Sequence, residues 1–133
     1  PGMRFHTAVN KFCWQAVFGH PLTVWRTALH QRRPYLDLAD ALSAVFFFID
    51  QGRIDGRIYN IVTRNLTVAD IIAMIETHIP APAIDYVENE IMNQLSYEVS
   101  SRRVQDLGWR AAGSLEDSVA ATIALLSKAG GRP

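Results

Sequence analysis

Apolar residues near the start of the chain fall at Phe5, Ala8, Val9, Phe12, Cys13, Ala16 and Val17, the i, i+3, i+4, i+7, i+8 series of one helical face. The spacing predicts a first helix that stops at Gly19, with Pro21 unable to continue it. Leu22-Thr23-Val24-Trp25, β-branched and aromatic, reads as a short strand. A polar stretch follows, and Pro34-Tyr35-Leu36-Asp37-Leu38 reads as a second extended segment because proline rejects helix. Asp37 or Asp40 can cap the next helix, over 39–51, whose Ala-Leu-Ser-Ala-Val-Phe-Phe-Phe-Ile core is apolar around most of its circumference and calls for cover on more than one side. Beyond a turn bracketed by Gly52 and Gly56, residues 57–63 are almost continuously apolar, the pattern of a parallel strand buried on both faces.

Thr67-Val68-Ala69-Asp70 has the spacing of a capping box, with Asp in place of the usual Glu, and opens a helix striped by Val68, Ile71, Ile72 and Ile75 before Pro80 stops it. Ile84-Asp85-Tyr86-Val87 reads as a strand. Ser100 is placed to cap a short helix closed by Gly108, and Ser114 a last helix running to about Ser127. Helices alternating with strands put the chain in the α/β class. Residues 1–129 are expected to form a single domain, with 130–133 a frayed tail.

Charge narrows the function classes. Thirteen Lys and Arg balance thirteen Asp and Glu over 133 residues, so there is no long-range field to concentrate nucleic acid. The longest uncharged apolar run, 41–49, is far short of the ~20 residues that cross a bilayer. With no secretory signal in view, the reading is a cytoplasmic protein with no membrane and no nucleic-acid partner. The lone Cys13 sits on an apolar helix face and reads as a buried, inert thiol.

Several chemistries have no motif here. The eight glycines form neither a G-x-G-x-x-G turn nor a P-loop. His6, His20, His30 and His78 have no ligand spacing, so no metal site is expected. None of the four tyrosines is followed four residues later by lysine, and no nucleophile elbow is present. What could bind a ligand is the connection from Trp25 to Tyr35, carrying Arg26, His30, Gln31, Arg32 and Arg33. An arginine fork suits phosphate oxygens and an aromatic face suits a base or sugar. The alternative is a solvated turn whose arginines pair with Asp37 or Asp40.

Four blocks carry a resemblance. The segment 9–25, ending Gly-His-Pro-Leu-Thr-Val-Trp, looks like a helix and strand that start a substrate lobe. Arg33-Pro34-Tyr35-Leu36-Asp37-Leu38-Ala39-Asp40-Ala41 is similar to an R-x-F/Y-V-x-V-x-D-V/A block. Ile58-Tyr59-Asn60-Ile61 with Leu66-Thr67-Val68-Ala69-Asp70-Ile71 resembles a Y-N-x-G strand followed by a T-V-x-E-L helix. Residues 100–109 and 114–117 are similar to closing S-K-x-x-x-x-L-G-W and S-L-E-E helices. Together these resemble the extended short-chain dehydrogenases/reductases, the NAD-dependent nucleotide-sugar epimerases and dehydratases, over their C-terminal substrate-binding region. The Rossmann half that bears the glycine-rich turn and the Tyr-x-x-x-Lys pair has no counterpart in these residues. The expectation is therefore an α/β substrate-binding lobe from a longer enzyme, catalytically silent alone.

The resemblance implies that Arg33 binds a diphosphate oxygen, that Leu22, Thr23 and Trp25 line the nucleotide base, and that Tyr35 and Val68 wall the pocket. Asn10 lies near the family's substrate-contacting Asn. It also implies a nucleoside-diphosphate sugar as ligand, NAD or NADP in the parent enzyme and no cofactor bound by this chain itself. Two positions depart from the family pattern: a second diphosphate-binding Arg is replaced within 89–94, and the glycine of Y-N-x-G is Val62. Apolar surface left by the absent half is expected to drive a homo-oligomer. Two other readings stay open: a stand-alone module that recognises a nucleotide or partner without catalysis, and a relative acting on a hydroxy-ketone or acyl thioester.

Overall fold

The computed structural model describes residues 7–52, 55–88 and 96–130. Its residues gather into two compact units. One comprises Pro1–Gln31, Thr67–Leu95 and Glu116–Pro133, and the other Arg32–Leu66 and Ser96–Leu115.

In the first unit, helix α1 (Ala8–Phe18) ends as its glycine dictates: Gly19 takes the left-handed conformation at φ 74°, and its N–H and that of His20 reach back to Ala16 O and Gln15 O. Strand β1 (Leu22–Trp25) pairs in parallel with β4 (Ile84–Val87), with Leu22 opposite Ile84 and Trp25 opposite Val87. Helix α3 (Val68–Glu76) opens with the expected capping box. Asp70 N–H donates to Thr67 Oγ1, and Thr67 N–H donates to the Asp70 carboxylate. Helix α5 (Leu115–Ala129) begins one residue past Ser114. The buried residues of this unit are Phe12, Cys13, Ala16 and Val17 of α1, Leu22 and Val24 of β1, Ile71, Ile72 and Ile75 of α3, and Val119, Ile123 and Leu126 of α5. Helix α1 packs on both α3 and β1.

In the second unit, β2 (Arg32–Tyr35) pairs with β3 (Arg64–Thr67). The N–H of Thr63 donates to Tyr35 O at 2.9 Å. Helix α2 (Leu38–Asp50) is capped by Asp37, which accepts from Ala39 N–H. The short helix α4 (Arg102–Gln105) follows Ser100, whose hydroxyl accepts from Arg102 N–H at 3.2 Å. The core here is Ala44, Val104 and Trp109, with Phe47, Phe48, Tyr59, Ile61 and Ala111 packed against it.

Two expectations are corrected in this unit. Residues 57–62 form no strand, and regular pairing starts only at Arg64. A strand exists through a ladder with a neighbour, and here the Ile58 carbonyl accepts instead from Arg103 Nη1 at 2.8 Å. Nor is α2 covered on several sides: it buries Asp40 and Ala44, while Leu38, Leu42, Val45, Phe46 and Ile49 stay exposed. The frayed tail expected at 130–133 lies, past Gly130, outside the described residues.

Candidate functional site

Of the residues singled out in the sequence, five belong to the first unit and two to the second. In the first unit, Leu22 is 0% exposed, so its contribution to a ligand face is confined to anchoring β1. Thr23 is clasped by Gln15, whose Nε2 donates to Thr23 Oγ1 at 3.1 Å and whose Oε1 accepts from Thr23 N–H at 3.3 Å. Trp25 ends the strand with 37% of its surface in solvent. Val68, half-buried, is the first residue of α3, and the next residue, Ala69, donates its N–H to Leu29 O at 3.0 Å, tying this helix start to the turn that follows β1. Asn10 is half-buried on α1.

Beyond the carboxyl ends of the parallel pair, Arg26 Nε meets Glu88 Oε1 at 2.7 Å and its guanidinium lies over the Tyr86 ring at 4.8 Å from the centroid. Exposed ion pairs of this kind contribute little stability. Their consequence is geometric, since they hold a flat cation and a phenol beside Trp25, where α/β sheets present ligand-contacting groups.

In the second unit, β2 carries Arg33 and Tyr35, both half-buried. Arg33 Nη1 donates to Arg32 O at 2.8 Å, and the guanidinium stacks over the Tyr97 ring at 5.0 Å. Stacking of this kind fixes a guanidinium plane. Arg32 is tied three ways: its guanidinium contacts Glu98 at 2.6 Å and Asn65 O at 3.0 Å, and its N–H donates to Ser96 Oγ at 3.0 Å. The Asn65 side chain in turn clasps both the N–H and the carbonyl of Val99. Of the arginines of this connection, Arg26 pairs with Glu88 and Arg32 with Glu98. Asp37 and Asp40 are engaged as backbone acceptors.

Asp40 is the hub beneath β2. It is 2% exposed, its Oδ2 accepts from Thr63 Oγ1 at 2.6 Å, and its Oδ1 accepts from the N–H groups of Ala112 and Gly113, each at 2.9 Å. Thr63 Oγ1 also accepts from Asp37 N–H at 2.8 Å. Burial pushes the Asp40 carboxyl up, but these three hydrogen bonds outweigh it and hold the group below its ordinary value. Burial pushes the Cys13 thiol up to about 11, consistent with the inert thiol expected from its position.

The helix starts that follow β2 and β3 both carry carboxylates. A helix N-terminus binds phosphate through open N–H groups and a positive dipole end. At the start of α2 the Asp37 carboxylate accepts from Ala39 N–H, with Asp40 in the first turn, and at the start of α3 the Thr67 hydroxyl accepts from Asp70 N–H while the Asp70 carboxylate accepts from Thr67 N–H. Both starts therefore present a negative charge. Nor, among the described residues, do three His, Cys, Asp or Glu side chains gather to hold a metal, and no described helix is long and apolar enough to cross a membrane.

Tyr97, Glu98 and Asn65 were not singled out as site residues from the sequence. They reach Arg32 and Arg33 from positions at least 32 residues away, and no local pattern announces them. The segment 89–94, where the family's second diphosphate-binding Arg is replaced, lies outside the described residues.

The fold matches part of that of extended short-chain dehydrogenase/reductase structures. The crystal structure of UDP-glucuronic acid 4-epimerase from Bacillus cereus, in complex with UDP-glucuronic acid and NAD, matches with a TM-score of 0.80 and 19% identity over 97% of this chain and 42% of its own. Among curated proteins, the chain is 40% identical over 73 residues to the chloroplastic UDP-sulfoquinovose synthase of Spinacia oleracea, which is 53% of this chain and 15% of that one. It is 28% identical over 119 residues to a trifunctional UDP-glucose 4,6-dehydratase/epimerase/reductase of Arabidopsis thaliana, 86% of this chain and 18% of that one. No family model matches. The resemblance read from the four sequence blocks thus stands: the relatives and structural neighbours include nucleotide-sugar dehydratases and epimerases and also an L-threonine 3-dehydrogenase, and this chain spans less than a fifth of the curated relatives' length and under half of the epimerase's.

Proposed function

We propose that this chain is the nucleoside-diphosphate-sugar-binding part of an NAD(P)-dependent epimerase or dehydratase. In this reading Arg33 of the second unit is the cation for the diphosphate, with Tyr35 beside it on the same strand, and, by the resemblance, Trp25 and Thr23 of the first unit are assigned to the base. Val68 and Asn10 are the remaining contacts. The observation that supports it most is Arg33 itself: the R-x-Y block places it on β2, where stacking on Tyr97 orients its guanidinium. The parent enzyme would pass a hydride to and from its nicotinamide cofactor using residues other than these 133, because both helix starts after a strand carry carboxylates and no Tyr-x-x-x-Lys pair is present.

The test is calorimetric titration of the protein that carries this chain with UDP and a UDP-hexose, alongside Arg33→Ala. A charge-assisted contact is worth roughly 1.5–3 kcal/mol, so loss of Arg33 should weaken UDP binding about 10- to 150-fold at constant fold. Unchanged affinity would remove Arg33 from the site and favour a ligand that carries no diphosphate. Tight NAD binding by the 133 residues alone would contradict the assignment of cofactor binding to residues outside them.

A further inference from the structure

In the second unit, residues 96–99 lie along β2 without forming a strand or helix, and apolar burial is not what keeps them there. Ser96, Tyr97 and Glu98 are exposed, Tyr97 at 51%, and Val99 is half-buried. A polar contact holds each of the four residues instead. Arg32 N–H donates to Ser96 Oγ at 3.0 Å, Tyr97 N–H donates to Arg32 O at 3.2 Å, and Arg32 Nη1 meets Glu98 Oε1 at 2.6 Å. Asn65 of β3 takes the last residue, accepting from Val99 N–H at 2.9 Å and donating to Val99 O at 3.0 Å. The two clamping residues are themselves joined, since Arg32 Nη2 donates to Asn65 O at 3.0 Å.

Exposed polar contacts of this kind add little stability. What they do fix is the place of one ring. Tyr97 stacks against the Arg33 guanidinium at 5.0 Å, and Arg33 Nη1 donates to the same Arg32 carbonyl that accepts from Tyr97 N–H. A long side chain left to rotate must be ordered at the moment an anion binds, whereas one already held in plane meets that cost in the fold.

We infer that Arg32, Asn65 and Tyr97 are positioning residues for the nucleoside diphosphate: Arg32 and Asn65 clamp residues 96–99, the clamp holds the Tyr97 ring against Arg33, and of these side chains Arg33 alone meets the phosphate. The inference rests on the reading of Arg33 as the diphosphate cation. It gives the adjacent arginines of β2 separate tasks. The charge of Arg32 is matched by Glu98 and its donors are spent on the clamp, so it orders the segment that in turn orders its neighbour.

Calorimetric titration of the protein that carries this chain, with UDP and with uridine, which has no phosphate, tests this. Tyr97→Leu and Asn65→Ala should each weaken UDP binding about 2- to 12-fold, the ordering cost of one rotamer-rich side chain, and leave uridine binding unchanged. Tyr97→Phe keeps the ring face and should bind UDP as wild type does. In an Arg33→Ala background neither replacement should cause a further loss, because both act through Arg33. Tyr97 is half exposed, so Tyr97→Leu leaves the core of the unit intact. Unchanged UDP affinity in Tyr97→Leu or Asn65→Ala would overturn the inference, as would an equal loss for uridine or a loss that persists without Arg33. A Tyr97→Phe variant as weak as Tyr97→Leu would put the effect on the hydroxyl and overturn it too. If Arg33→Ala weakens UDP binding and Tyr97→Leu does not, this inference alone fails. If Arg33→Ala is itself without effect, the functional reading of Arg33 fails and the inference goes with it.

Discussion

Replacing Asp40 separates a buried structural carboxylate from a surface one. Asp40→Ala leaves three donors without their acceptor: Thr63 Oγ1–H and the N–H groups of Ala112 and Gly113. Each buried donor so stranded costs about 1–3 kcal/mol. Ala112 is exposed and its N–H can turn to water, so the cost concentrates on Thr63 and Gly113, and the negative charge in the first turn of α2 is lost as well, about 0.3–1 kcal/mol. The expected loss is about 3–5 kcal/mol, a large part of the roughly 5–15 kcal/mol that holds a domain folded.

Asp40→Asn keeps the shape and one acceptor oxygen, but its amide nitrogen would face a Thr63 hydroxyl that already accepts from Asp37 N–H. A milder loss of about 1–2 kcal/mol follows, because charge-assisted bonds become neutral ones. The two variants also differ from wild type in pH dependence. The native carboxyl is held below its ordinary value of 3.8. Its contribution is therefore fully present above that value and is lost as pH falls through the lowered native value. Urea unfolding as a function of pH, followed by circular dichroism, reads both effects. The gap between wild type and Asp40→Asn should be constant at neutral pH and should shrink below about 4. An Asp40→Ala variant that loses under 1 kcal/mol, or a gap that stays constant down to pH 2, would refute the reasoning.

Two further outcomes follow from packing. A Cβ on Gly113 would lie 2.8 Å from both Cβ and Cγ of Asp37. Gly113→Ala should therefore displace the α2 cap and cost about 2–4 kcal/mol, combining overpacking with cap loss, and a denaturation midpoint within error of wild type would contradict it. The Cys13 thiol, buried and pushed up to about 11, should react with a chromogenic disulfide at neutral pH only as fast as the unit opens, so its rate should rise steeply with denaturant. Prompt labelling of the native protein would place Cys13 elsewhere.

What could be read in advance divides by the range of the signal. Gly19, the Thr67–Asp70 box, Asp37 and Pro80 act within a turn of where they stand, and the helices they bound appear where expected. Leu22–Trp25 and Ile84–Val87 are strands by composition alone, and their parallel pairing fits the α/β class. The misread element, 57–63, has the right composition for a buried strand but depends on a neighbour that no local pattern supplies. The same limit hid the partners of the arginines. Asp40 could be named as a cap candidate, yet its acceptor role comes from Ala112 and Gly113, more than 70 residues away. Tyr97 beneath Arg33 is likewise a contact between distant segments. The diphosphate role proposed for Arg33 rests on resemblance, because its position between proline and a second arginine suits a solvated turn equally well.

The most direct measurement follows the backbone and side-chain resonances of the isotope-labelled 133-residue chain as UDP is added. Saturable shifts are expected at the Trp25 indole N–H, the Thr23 amide and the Arg33 guanidinium, with Cys13 and Val119 in the core unmoved. If those three resonances stay still up to millimolar UDP, or if saturation appears only at residues remote from β1 and β2, these residues do not grip a nucleoside diphosphate.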